Sequence, residues 1–102
     1  MNLTSRIEDR VATIGLDGRF TFEAHAAFKA CTRNALDTGG LERLVLDMSQ
    51  VTYLDASSLG MILLLREAAE AVHVTVELHR PSAPVMSLLE VVRFERLFRI
   101  TH

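Results

Sequence analysis

Tryptophan is absent from these 102 residues, cysteine occurs once, proline twice, and no hydrophobic run is long. Each shortage excludes something. The lone Cys31 forms no internal disulfide, so this is not a disulfide-stapled scaffold. Set within a helical pattern, Cys31 reads as a small buried apolar residue in a reducing, cytoplasmic compartment. The longest apolar run, Met61 to Leu65, is far too short to span a bilayer, and Met1-Asn2-Leu3-Thr4-Ser5 opens a polar stretch without a signal-peptide core. A chain neither exported nor inserted in a membrane is expected. Charge of one sign is also lacking: 11 Lys and Arg face 13 Asp and Glu, for a net −2. No basic run or aromatic-basic stripe is present to neutralise phosphates along a duplex, which disfavours direct nucleic-acid binding and favours a protein partner. His25, His73, His79 and His102 lack ligand spacing, so no metal site is expected and all four are read as surface residues.

What is present is the composition of a compact globular protein, 49% hydrophobic and 24% charged. A single domain over 1–102 follows, burying roughly 60–68% of its unfolded surface. Leu3 and Ile7 suggest a first strand, and Val11 to Leu16 a second after a Glu8-Asp9-Arg10 turn, making a hairpin. Asp17-Gly18 is read as the end of that run. Ala24, Ala27, Phe28, Cys31 and Ala35 then recur at helical spacing, and Gly39-Gly40 ends the helix. Arg43 to Asp47 reads as a central strand covered on both faces, because Leu44-Val45-Leu46 lacks alternation. A short polar connection leads to a helix from about Ser57 to Ala71. Val74, Val76 and Leu78 alternate with polar residues as in a half-buried strand. Ser82 is a candidate N-cap for a last helix bearing Val85, Leu88, Leu89 and Val92. Phe94, Leu97, Phe98 and Ile100 form an apolar closing segment that docks on the core. The β-β-α-β-α-β-α order implies an α/β fold with a mixed, mostly parallel sheet of four to five strands and three to four helices.

The chemistry concentrates at Asp55-Ala56-Ser57-Ser58, a hydroxyl pair at the mouth of a strongly apolar helix. Open backbone N–H groups and the positive end of the helix dipole suit that position to holding a phosphate. Taken locally, Asp55 and the serines also fit plain helix capping, worth about 1 kcal/mol. Along the helix, Met61, Leu64, Leu65, Ala68, Ala69 and Val72 form one apolar face, widened by Leu59, Ile62 and Leu63. Most of these are assigned to the core, and one or two near Met61 to a partner contact. Arg93, Arg96 and Arg99 read as a solvated face.

The run from Asp47 to Gly60, DMSQVTYLDASSLG, resembles the signature of STAS domains, the anti-sigma factor antagonist family: Asp-x-Ser-x-Val, two residues, Leu or Met, Asp-Ser-Ser-Gly-Leu, then an apolar helix. Gly18 to Ala24 is similar to the family's turn before its first helix, and Phe94 to Ile100 to its closing segment. Nearly the whole chain is covered. The resemblance implies a non-enzymatic switch without a cofactor. In such a cycle a serine kinase that is also an anti-sigma factor, a GHKL-type ATPase, phosphorylates the antagonist, and a PP2C-like phosphatase restores it. Unmodified antagonist binds the kinase and frees the sigma factor. By position the modified residue falls on Ser57, and the partner-binding residues on Asp55, Ala56, Ser57, Ser58, Met61 and Thr21. Three departures stand out: Ala56 replaces the family's first serine, Ser58 replaces a glycine and is a rival acceptor, and Thr21 stands where an aspartate is usual.

Two other classes compete. One is a STAS scaffold or subunit of a larger signalling or transport assembly without phosphate turnover. The other is a small hydrolase using Ser57, a histidine and Asp47 or Asp55; no Gly-x-Ser-x-Gly elbow supports it.

Overall fold

The computed structural model describes all 102 residues, and its chain path begins with a tight antiparallel hairpin. Strand β1 (Asn2–Glu8) pairs with β2 (Val11–Phe20) in register from Asn2 opposite Asp17 to Glu8 opposite Val11. The two loop residues, Asp9 and Arg10, have φ of 50° and 67°. Positive φ at both positions is what a two-residue loop needs to match the twist of its strands. A 3-10 turn (Phe22–Ala24) leads into α1 (His25–Asp37); β3 (Arg43–Leu54), α2 (Ala56–Ala71), β4 (Thr75–His79) and α3 (Ala83–Val91) follow, then a second 3-10 turn and β5 (Arg99–Thr101). The sheet runs β1-β2-β3-β4-β5, with β2 through β5 all parallel. The expected α/β mixed sheet is the one observed.

Several local readings are corrected. Asp17-Gly18 does not end β2: the strand absorbs two register shifts, at Gly15/Asp17 and Gly18/Arg19, and continues to Phe20. Gly18 takes φ +110° there, a conformation open to glycine. Its partner β3 likewise runs to Leu54 instead of stopping at Asp47, so the polar connection before α2 is strand. The closing segment, read as apolar docking alone, also supplies β5 alongside β4. Ser82 occupies the N-cap of α3, but its side chain makes no capping bond.

The central strand is also not covered on both faces. Successive parallel strands are added in one direction, and right-handed crossovers then place every connecting helix on the same face. One core results, joining Ile14, Leu16, Leu44, Leu46 and Leu78 of the sheet to Phe28, Ile62, Leu65 and Leu89 of the helices. Val45 is buried outside that core, with Thr13 and Glu77 as its in-register neighbours on the opposite face. On that face buried Glu77 bonds Arg43 at 3.1 Å and His79 at 3.0 Å. Burial pushes the Glu77 carboxyl up, but the bonds and charges of His79 and Arg43 outweigh it and leave the pKa lowered. His79 is therefore a half-buried partner of Glu77 rather than a free surface residue.

Helix α2 turns a different stripe inward from the one periodicity suggested. Leu59, Ile62, Leu65 and Ala69 are buried, while Leu64 is 58% and Val72 51% exposed. In α1, Phe28, Thr32 and Ala35 are buried, Cys31 is half-buried, and Ala27 is exposed. Burial raises the Cys31 thiol pKa, which keeps it a protonated, packing residue.

Candidate functional site

The C-terminal ends of β2 and β3 lie side by side, with Arg19 opposite Tyr53 and Phe20 opposite Leu54, so the loops leaving them meet. From that edge the chain enters α2 through Asp55, whose extended backbone (φ −94°, ψ 169°) makes it the N-cap. One carboxylate oxygen accepts the Ser58 backbone N–H at 2.8 Å and the Ser57 hydroxyl at 2.8 Å; the other accepts the Phe22 N–H at 3.2 Å. Asp55 thus caps α2 and ties it to the segment before α1. Partial burial pushes its pKa up, but the donors of Ser58, Ser57 and Phe22 prevail and hold the carboxyl at about 2, against an ordinary 3.8.

The two serines are not equivalent. Ser57 is exposed, whereas Ser58 is fully buried and donates its hydroxyl proton to the Phe20 carbonyl at 2.8 Å. His25, at the start of α1, places Nε2 3.2 Å from the Ser58 Oγ and 3.4 Å from the Ser57 Oγ. Both serine protons are already committed, one to Asp55 and one to Phe20. Both oxygens therefore offer only lone pairs to His25, which assigns the imidazole proton to Nε2. The Phe20 ring, edge-on at 6.1 Å, holds the imidazole from the side.

This wiring is not that of a serine hydrolase. A Ser-His-Asp relay needs a basic histidine nitrogen on the serine and the acid on the histidine's other nitrogen. Here Nε2 faces the serine as a donor, Asp55 bonds the serine itself, and Asp47 is bonded by Arg80 at 2.7 Å.

Of the residues singled out in the sequence, Asp55, Ser57 and Ser58 converge at the mouth of α2, with Ala56 exposed beside them. Thr21 lines an adjoining open groove of about 590 Å³ with Arg19, Phe22, Tyr53 and Asp55. Met61 lies elsewhere, in a groove of about 510 Å³ between α1 and α2. Sequence reading missed His25, Phe22, Arg19 and Tyr53. Phe22 is 67% and Tyr53 45% exposed, and the Arg19 guanidinium stacks over the Tyr53 ring at 4.4 Å. The one available signal was the pair of aromatics at Phe22 and Tyr53 flanking apolar runs; nothing in the sequence brings His25 to residues 32 and 33 positions away. No helix is long and apolar enough to cross a membrane.

A layer of helices on a mixed, mostly parallel sheet, with a capped serine at the edge of its parallel strands, defines a single α/β domain, and the chain belongs to the STAS domain family. The family model described as Mlab, STAS domain matches residues 3–100. A STAS-domain containing protein of Pseudomonas aeruginosa (strain UCBPP-PA14) is 39% identical over 89 residues, which span 87% of this chain and 86% of the relative. Among solved structures, TM1081 of Thermotoga maritima, a candidate anti-sigma factor antagonist, superposes with a TM-score of 0.88 at 22% identity, covering 98% of this chain and 86% of its own. The unphosphorylated form of the Bacillus anti-sigma factor antagonist SpoIIAA gives 0.83 at 19% identity, covering 99% and 89%. These structural likenesses establish a shared fold.

Proposed function

We propose that this chain is an anti-sigma factor antagonist that works by partner switching in the cytoplasm. Unmodified, it binds a serine kinase that doubles as an anti-sigma factor, of the GHKL ATPase type, and the sigma factor is released. The kinase transfers the γ-phosphoryl group of ATP to Ser57 Oγ, ADP leaves with the electron pair of the broken P–O bond, the hydroxyl proton passes to solvent, and the complex parts. A PP2C-like phosphatase hydrolyses the ester and resets the switch.

One observation carries this reading: of the two hydroxyls in the family's motif, Ser57 is exposed at the mouth of α2, and Ser58 is buried and bonded to Phe20. A kinase reaches the first without unfolding the helix. The exposed Phe22 and Tyr53, with Arg19 stacked on the Tyr53 ring, offer aromatic and cationic anchors of the kind found at protein interfaces. A phosphate adds roughly −1.5 to −2 charges. Inside a docked interface that charge sits beside Asp55 and must lose its water, which opposes binding.

Mapping phosphate by mass spectrometry, on chain incubated with ATP and its cognate kinase, tests the reading. Label on Ser57 is expected; label on neither serine overturns the phospho-switch. Stable recovery of the chain in a multi-subunit complex that Ser57→Asp does not disturb would favour a scaffold instead.

A further inference from the structure

We propose that His25 is the residue that holds the phosphoryl group once Ser57 is modified, its Nε2–H taking a phosphoryl oxygen in place of the serine hydroxyl's bond to Asp55. The inference deepens the phospho-switch reading and rests on it.

In the unmodified chain the Ser57 proton bridges its oxygen to an Asp55 oxygen 2.8 Å away. Forming the ester removes that proton and leaves acceptor against acceptor, with a phosphate beside a carboxylate that stays ionised across the physiological range. The Ser57 side chain must turn away from Asp55. The other side chain in contact with its oxygen is His25, already presenting a donor at 3.4 Å. A phosphoryl oxygen stands further out than Oγ, so it comes within hydrogen-bond reach of Nε2 without movement of either helix. The donor is held in place from two directions, by the buried Ser58 Oγ and by the Phe20 ring. Neither holding contact is lost when Ser57 is modified.

The charges around the group are few. Asp55 faces it from the β3–α2 junction and His25 from α1, while the end of β2 contributes the Phe20 carbonyl, already occupied by Ser58. Arg19 and Glu23 line the groove that Asp55 also borders, with Arg19 engaged on Tyr53. A hydrogen bond to an ionised phosphoryl oxygen is shorter and stronger than one to a neutral acceptor. His25 thus keeps the modified hydroxyl docked on its own protein. The Asp55 bonds to Ser58 and Phe22 then survive, and the cost of the new charge falls on the partner.

Phosphoserine introduced at position 57 during translation tests this without any kinase. The 31P signal is followed through a pH titration in three backgrounds: His25, His25→Gln and His25→Lys. The second phosphoryl pKa, ordinarily about 6, is expected to be lower by about half a unit or more with His25 or Lys than with Gln. Melting curves of the unmodified variants establish that all three fold. Equal titrations with His25 and Gln overturn the proposal. Because the phosphoserine is incorporated during translation without a kinase, a chain that no kinase labels contradicts the switch reading alone, and its 31P titration still decides the role of His25.

Discussion

Asp55 shows how much rests on a single side chain. Its carboxylate closes three bonds, to Ser57, Ser58 and Phe22, that join β3, α2 and the entrance to α1. A group with a folded pKa of about 2, below its ordinary 3.8, contributes stability that is complete above pH ~4 and lost as pH falls toward 2. Asp55→Asn is expected to flatten that part of the acid limb when urea midpoints are compared from pH 7 to pH 2. Asp55→Ala, which also removes the cap, should lower the urea midpoint at neutral pH as well. The capping role of Asp55 was legible from residue type and position. The difference between Ser57 and Ser58 was not, because it depends on the carbonyl of Phe20, 38 residues earlier. The place of His25 was hidden for the same reason: a lone histidine becomes informative only when the fold delivers it to a partner.

Among the elements, α2 best separates what periodicity reveals from what it leaves open. Its sequence carries more apolar positions than one face can bury, so two overlapping stripes fit the helical period. The anchoring of Asp55 and Ser58 at the N-terminus selects the rotation: Ser58 points into the core, and Leu59, Ile62, Leu65 and Ala69 follow it. Ile62→Ala, at a fully buried position, should cost about 2–5 kcal/mol. Leu64→Ala, at a position 58% exposed, should fall within about 0.5 kcal/mol. Guanidinium unfolding of the two variants decides between the stripes; the reverse order of effects would restore the periodicity-based face. The strands were legible at their beginnings and not at their ends. Short apolar runs identify Val11 to Leu16 and Arg43 to Asp47, but the register shifts after Gly15 and Gly18 break the pattern that would have carried both strands to the site.

Over the whole molecule, one-sided layering explains why the site lies where it does. With all crossovers on one face, the parallel strands deliver their C-terminal ends to a common edge, where loops and helix N-termini gather. The mixed, mostly parallel direction of the sheet and four of its five strands were legible from the order of elements; β5, in the closing segment, was not. The open face was not, since Leu44-Val45-Leu46 is a continuous apolar run although Val45 lies outside the core. A switch built on that edge changes surface charge without disturbing the core beneath it. Phosphorylation is therefore expected to act on association and not on folding. The affinity of the kinase/anti-sigma partner for unmodified chain and for chain phosphorylated at Ser57, measured side by side by calorimetry with both forms confirmed as folded, tests this most directly. A loss of about a hundredfold or more on phosphorylation is the expected result, corresponding to about 2.7 kcal/mol; equal affinity of the two folded forms would contradict it.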